Sequence, residues 1–160
     1  MSVEELQFVN LAPRKLFGLG ANFIGVFSPN TTAHTVIPQL WQDMGKLLEN
    51  ENCARGSSFG VMSMLPNTEE LHYFAGVEVF EGNEPQDPAI ESFDFAGGMY
   101  AMFEHHGSLA TIEQSTKHFY QELLPKSGRA VRNAVHLEIY DERFVPNSEN
   151  SVVIIAAPIA

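Results

Sequence analysis

Cysteine is almost absent from this chain: Cys53 is the single one in 160 residues. One thiol closes no internal disulfide and lacks the partners of a metal cluster, which points to a reducing compartment. Basic side chains are scarce as well, 9 against 20 acidic ones, for a formal net charge of -11. Neutralising phosphates needs a concentrated basic surface, so direct binding of nucleic acid is not expected. Long apolar runs are missing too. The longest, Leu16 to Phe27, is broken by glycines and too short to span a bilayer. Glu4 and Glu5 precede any apolar run and no basic region stands before them, so no export signal is read and a cytoplasmic protein away from membranes is expected. The acidity itself serves solubility, or acts as a field that concentrates cations.

What is present fits one domain over residues 1–160, long enough to bury about 70% of the surface its unfolded chain exposes. Residues 6–13 and 15–27 read as strands, with Phe17, Leu19, Ala21 and Phe23 alternating against Leu16, Gly18, Gly20 and Asn22. The glycines there mark bends or close backbone approach. A helix is expected from about Thr35 to Glu49, capped by Thr35 and with Pro38 in its first turn; Ile37, Leu40, Trp41, Met44, Leu47 and Leu48 follow its 3.6 period. Asn50 to Ser57 reads as polar loop, followed by strands at 58–65 and 71–80. Gly82, Pro85 and Pro88 then punctuate a linker from Glu81 to Pro88.

The same order recurs. Strand material fills 90–106, Gly107-Ser108 turn the chain, and a helix opens on a Thr111-x-x-Gln114 capping box and stops at Pro125. Strands at 134–144 and 151–159 complete it. The pattern is βαββ twice, over about 6–80 and 90–160, with Gly25 and Gly107 before the helices and Trp41 and Tyr120 at similar points inside them. The expected fold is α+β: duplicated βαββ units, a mainly antiparallel sheet with two helices, and a ligand groove near the pseudo-twofold axis.

One stretch stands out against this frame. In His136-Leu137-Glu138-Ile139-Tyr140 the aliphatic side chains share one strand face, while His136, Glu138 and Tyr140 share the other. An ionised carboxylate taken from water costs several kcal/mol unless it meets a cation or donors. A Glu among aromatics is therefore either solvated or set for a positive partner. Trp41, Tyr73, Phe74, Tyr100, Tyr120 and Tyr140 are candidate walls of such a site, because aromatic faces attract cations and tolerate varied flat ligands. Met62 adds adaptable surface. For each of these the plain alternative is core packing.

The six histidines lack metal-ligand spacing, and His105 and His106, adjacent in a strand, point to opposite faces. No metal or cofactor is called for. Nothing resembles a phosphate loop around Gly97-Gly98, nor a nucleophile elbow or a Cys-His pair.

Five segments, in order, carry a family resemblance: Phe59-Gly60-Val61-Met62, Tyr73 to Val79, Gly98 to Gly107, Glu122 to Gly128, and Leu137-Glu138-Ile139-Tyr140. Together they resemble the GyrI-like ligand-binding domain, found also as the effector-binding domain of AraC-type and MerR-type multidrug-responsive regulators. The resemblance implies a duplicated βαββ fold whose hydrophobic cleft takes lipophilic, often cationic, compounds, with the acidic residue matching Glu138 facing the ligand's charge. Leu123 departs from the tryptophan common in that family, and no helix-turn-helix segment is read, so direct DNA binding is not expected of these residues.

Three functions follow as expectations. The first is capture of lipophilic cations by Glu138 within an aromatic cleft, for buffering or for signalling to a separate regulator or other protein. A cation close to a carboxylate gains about 4 kcal/mol at an effective dielectric of 20, enough to separate it from a neutral analogue. The second, implied by hydrolytic members of the family, is hydrolysis of strained electrophiles with Glu138 as general base and Tyr140 or another cleft tyrosine as proton donor. The third is a protein-interaction module like the family's gyrase-inhibitory members.

Overall fold

A computed structural model describes residues 6–51, 55–80 and 82–160; the readings made at Glu4, Glu5, Cys53 and Glu81 lie outside them. The expected α+β architecture is present, its strands paired antiparallel. In chain order the elements are β1 (Gln7–Leu11), β2 (Arg14–Ile24), α1 (Ala33–Glu49), β3 (Arg55–Met64), β4 (Glu70–Val79), β5 (Glu91–Phe95), β6 (Gly98–His106), α2 (Ile112–His118), α3 (Leu124–Lys126), β7 (His136–Tyr140) and β8 (Val152–Pro158).

They form two compact units, one of β1 with Gly97–Ala160 and one of Pro13–Ala96. In the first the strand order is β1-β6-β8-β7, and in the second β5-β2-β4-β3. The two orders are the same arrangement. Each edge strand, however, comes from the other recurring stretch of sequence: β1 pairs with β6, and β5 with β2. Periodicity locates a strand but carries no record of its partner, which is why the recurrence at 6–80 and 90–160 differs from the compact units.

In the second unit α1 lays Ala33, Leu40, Met44 and Leu48 on the sheet, buried at the spacing one helix face requires. They pack against Phe23, Tyr73, Ala75 and Val77. The helix starts two residues before Thr35. Thr31 and Thr32 bind it to the end of β2: the Thr31 hydroxyl accepts from Ala33 N at 3.2 Å and donates to Ile24 O at 2.8 Å, while Thr32 Oγ1 accepts from Ile24 N. Pro38 consequently lies beyond the first turn. Strand β3 begins at Arg55, inside the expected loop, and a register shift between Arg55 and Ser58 interrupts its pairing with β4. The close approach anticipated from the β2 glycines is real at Gly18, where a Cβ would lie 1.8 Å from Ala75 O.

In the first unit Phe119 and Leu124 bury against Ala101, Ile155, Ala157 and Ile159. The expected helix 111–124 is there in pieces. A 3₁₀ turn over Leu109–Thr111 precedes α2, so the Thr111 hydroxyl donates to Ser108 O at 3.2 Å and no capping box forms. Phe119–Leu123 is a π turn, in which Leu124 N bonds to Phe119 O. Nor does the helix end at Pro125. The wider turn just before the proline accommodates a ring that would otherwise collide with the carbonyl four residues back.

Candidate functional site

Strand β7 carries the alternation read from the sequence: Leu137 and Ile139 are buried, while His136, Glu138 and Tyr140 are half-buried on the opposite face. The Tyr140 phenol donates to Glu138 Oε1 at 2.9 Å, a neighbour contact that the two-residue period makes available. β7 stops at Tyr140, well short of Phe144. Asp141 ends it, its carboxylate accepting from Arg143 N at 3.0 Å while its carbonyl accepts from Phe144 N at 3.0 Å. Arg143 also holds Asp141 through its side chain and reaches Glu104 on β6 at 2.7 Å. Burial opposes it, yet the hydrogen bonds and charge of Arg143 keep the Asp141 carboxyl below the usual range. Hydrogen bonding to Arg143 does the same for Glu104. This turn brings the Phe144 ring edge-on to Tyr140, centroids 5.0 Å apart.

Tyr120 joins the group from the π turn. Its hydroxyl is 2.6 Å from His136 Nδ1, and the two rings lie 5.5 Å apart. Burial first, then the negative charge of Glu138 and the nearby Tyr100, push the Tyr120 phenol far above its ordinary pKa, so it stays protonated. Burial holds His136 below its ordinary value, favouring the neutral imidazole. The buried Tyr100 donates to Val135 O at 2.8 Å, with the Arg132 guanidinium over its ring at 5.2 Å. Burial raises its pKa too, against the opposing charge of Arg132.

Of the eight residues expected to make a site, Glu138, Tyr140, Tyr120 and Tyr100 belong to the first unit, and Trp41, Tyr73, Phe74 and Met62 to the second. Tyr73 is wholly buried, accepts the Trp41 indole N–H at 3.0 Å, and meets Phe23 and Trp41 edge-on. Phe74 is buried against Phe93. Trp41 and Met62 are half-buried beside the cluster of Phe23, Leu40 and Tyr73. His136 and Phe144 were not among those eight. For His136 the signal was available in the strand period; for Phe144 it was not, because only the Asp141 turn brings that ring back.

A half-buried carboxylate that accepts from a phenol, on a strand face shared with an imidazole, can hold a cation or move a proton. A model of the GyrI-like small molecule binding domain matches residues 5–160. The chain belongs to the GyrI-like family. It is 34% identical over 129 residues to the transcriptional regulator BrlR of Pseudomonas aeruginosa, an alignment covering 77% of this chain and 46% of BrlR, so the chain spans about half the length of that relative. Among solved structures, SAV2435 bound to tetraphenylphosphonium shares the fold with a TM-score of 0.73 at 18% identity, over 98% of this chain and 94% of that one. The EcmrR C-terminal domain does so with a TM-score of 0.63 at 11% identity, over 99% of both. No helix among the described residues is long and apolar enough to cross a membrane.

Proposed function

We propose that this GyrI-like domain binds lipophilic cationic small molecules, with Glu138 as the counter-charge and Tyr140, Tyr120 and Phe144 as its aromatic surround. The observation that carries the reading is the half-buried Glu138 carboxylate, oriented by the Tyr140 hydroxyl at 2.9 Å on a strand face otherwise given to rings. Tetraphenylphosphonium, the ligand of SAV2435, has the matching chemistry: one delocalised positive charge inside four aromatic groups. In the second unit, taken by itself, Trp41 and Met62 are the half-buried members of the expected set and pack beside Tyr73. The regulator BrlR supports a sensing role, in which occupancy is passed to a separate regulatory protein or segment.

Calorimetric titration with tetraphenylphosphonium and with a neutral arene of similar size tests the reading. Glu138→Gln is expected to weaken cation binding on the order of tenfold or more and to leave the neutral arene unchanged. Equal cation affinity in the variant and the parent would remove Glu138 from the site.

A second reading rests on Tyr120. Its hydroxyl reaches His136 on the strand of Glu138 at 2.6 Å, and its phenol, kept protonated by burial and then by the Glu138 charge, can serve as an acid. In hydrolysis of a strained, cyclopropane-bearing electrophile, Glu138 takes a proton from water, the water oxygen bonds to carbon, and Tyr120 protonates the carbon whose ring bond breaks. Product analysis decides it: turnover should disappear in Glu138→Gln, and turnover that survives the change excludes this mechanism.

A further inference from the structure

The face of β7 that carries Glu138 also carries His136, two residues away, and a histidine so placed can supply an internal cation. We propose that His136 sets the charge selectivity of the Glu138 site, its neutral imidazole leaving the carboxylate to a ligand cation and its imidazolium taking that cation's place. The inference rests on the cation-binding reading of Glu138 and adds its regulation by pH.

The geometry supplies the device. With His136 neutral, the Tyr120 hydroxyl can donate to Nδ1 across their 2.6 Å contact. Protonation puts a hydrogen on Nδ1, so the contact must reverse: Nδ1–H donates to the Tyr120 oxygen, and the phenol proton turns elsewhere. After burial, the Glu138 charge acts on that phenol, and Tyr100 does so as well. One proton therefore places a positive charge on the carboxylate's own strand face and frees a hydroxyl proton on which the carboxylate's charge acts. Both changes oppose a bound cation.

Among the described residues of its unit, these titratable groups are placed near His136. Its own strand offers Glu138 and Tyr140, and the π turn offers Tyr120. Tyr100 of β6 bears on Tyr120 and carries Arg132 over its ring. β8, of sequence VVIIAAP, has no titratable side chain. Burial already disfavours the imidazolium, which keeps the site open at neutral pH and places its closing on the acid side.

The test uses tetraphenylphosphonium, whose charge does not titrate, on the full chain and on His136→Asn and Glu138→Gln. Asn can accept the Tyr120 hydroxyl but cannot be protonated. Between about pH 7.5 and pH 5 the parent is expected to lose affinity on the order of tenfold, and His136→Asn less than about twofold. An equal loss in His136→Asn overturns the proposal, and leaves the Glu138 reading standing if Glu138→Gln binds poorly at pH 7.5. Parent-like binding by Glu138→Gln at that pH brings down the site reading, and this inference with it. Should His136→Asn fail to fold, the His136 imidazole resonances of the parent give the answer. Saturating ligand should move their titration midpoint lower by about one pH unit for a tenfold coupling, and an unmoved midpoint refutes the role.

Discussion

Glu138 and Tyr140 illustrate how a strand can carry a charge without unfolding around it. The Tyr140 hydroxyl gives the half-buried carboxylate a donor 2.9 Å away, and Leu137 and Ile139 anchor the same five residues in the core on the other side. Tyr140→Phe keeps the ring against Phe144 and deletes only that donor. A hydrogen bond to a charged group contributes about 1.5–3 kcal/mol, and partial exposure to water places this one at the lower end. The variant should melt a few degrees below the parent in calorimetry, with the ring contact intact. An unchanged melting temperature would show that water replaces the phenol at no cost.

The segment after β7 does more than connect strands. Asp141 ends the strand and Arg143 clamps the turn to β6 through Glu104, which is how Phe144 returns to the Tyr140 ring. These ion pairs are partly exposed, so their worth in stability is small, about 0–1 kcal/mol. Their worth in positioning is separable from it. Arg143→Met is expected to unfold in urea nearly as the parent does, yet to bind tetraphenylphosphonium several-fold more weakly, because the turn that presents Phe144 loses its tie to β6. Unaltered affinity in that variant would exclude Phe144 and its turn from the site. The π turn plays a corresponding part on the helical side, where it directs Phe119 into the core and Tyr120 toward His136.

Across the whole molecule the perturbed groups define a window of pH. His136 has a lowered pKa in the fold, so its contribution is present above the unfolded value of about 6.5 and is lost as pH falls through the folded one. Glu104 and Asp141, lowered by Arg143, add a second loss that sets in below about pH 4. Tyr120 acts at the other end: its raised pKa gives a contribution complete below about pH 10 and lost as pH rises beyond that. Melting temperature should therefore hold from about pH 6.5 to 10 and decline in two steps on the acid side. In His136→Asn the first acid-side loss, the one that sets in below about pH 6.5, should be missing; a parent-like decline there would assign that loss to other groups.

Much of this was legible in the order of side chains, for a definite reason. The period of two along 136–140 placed Glu138 on the polar face of a strand, and the 3.6 period along 37–48 identified the buried face of α1, because both depend only on local backbone geometry. The recurrence of βαββ, and the family to which the five segments point, are likewise properties of the linear chain. What side-chain order could not contain was partnership. The pairing of β1 with β6 and β5 with β2 and the return of Phe144 to Tyr140 are contacts that close only when the backbone does. The hydrogen bond of Tyr120 to His136 is another, and so is the burial that holds that imidazole neutral. The chain alone determined which side chains share a strand or helix face; tertiary packing decided which of them meet, because desolvation and hydrogen bonding act between groups brought together in space, whatever their separation in sequence.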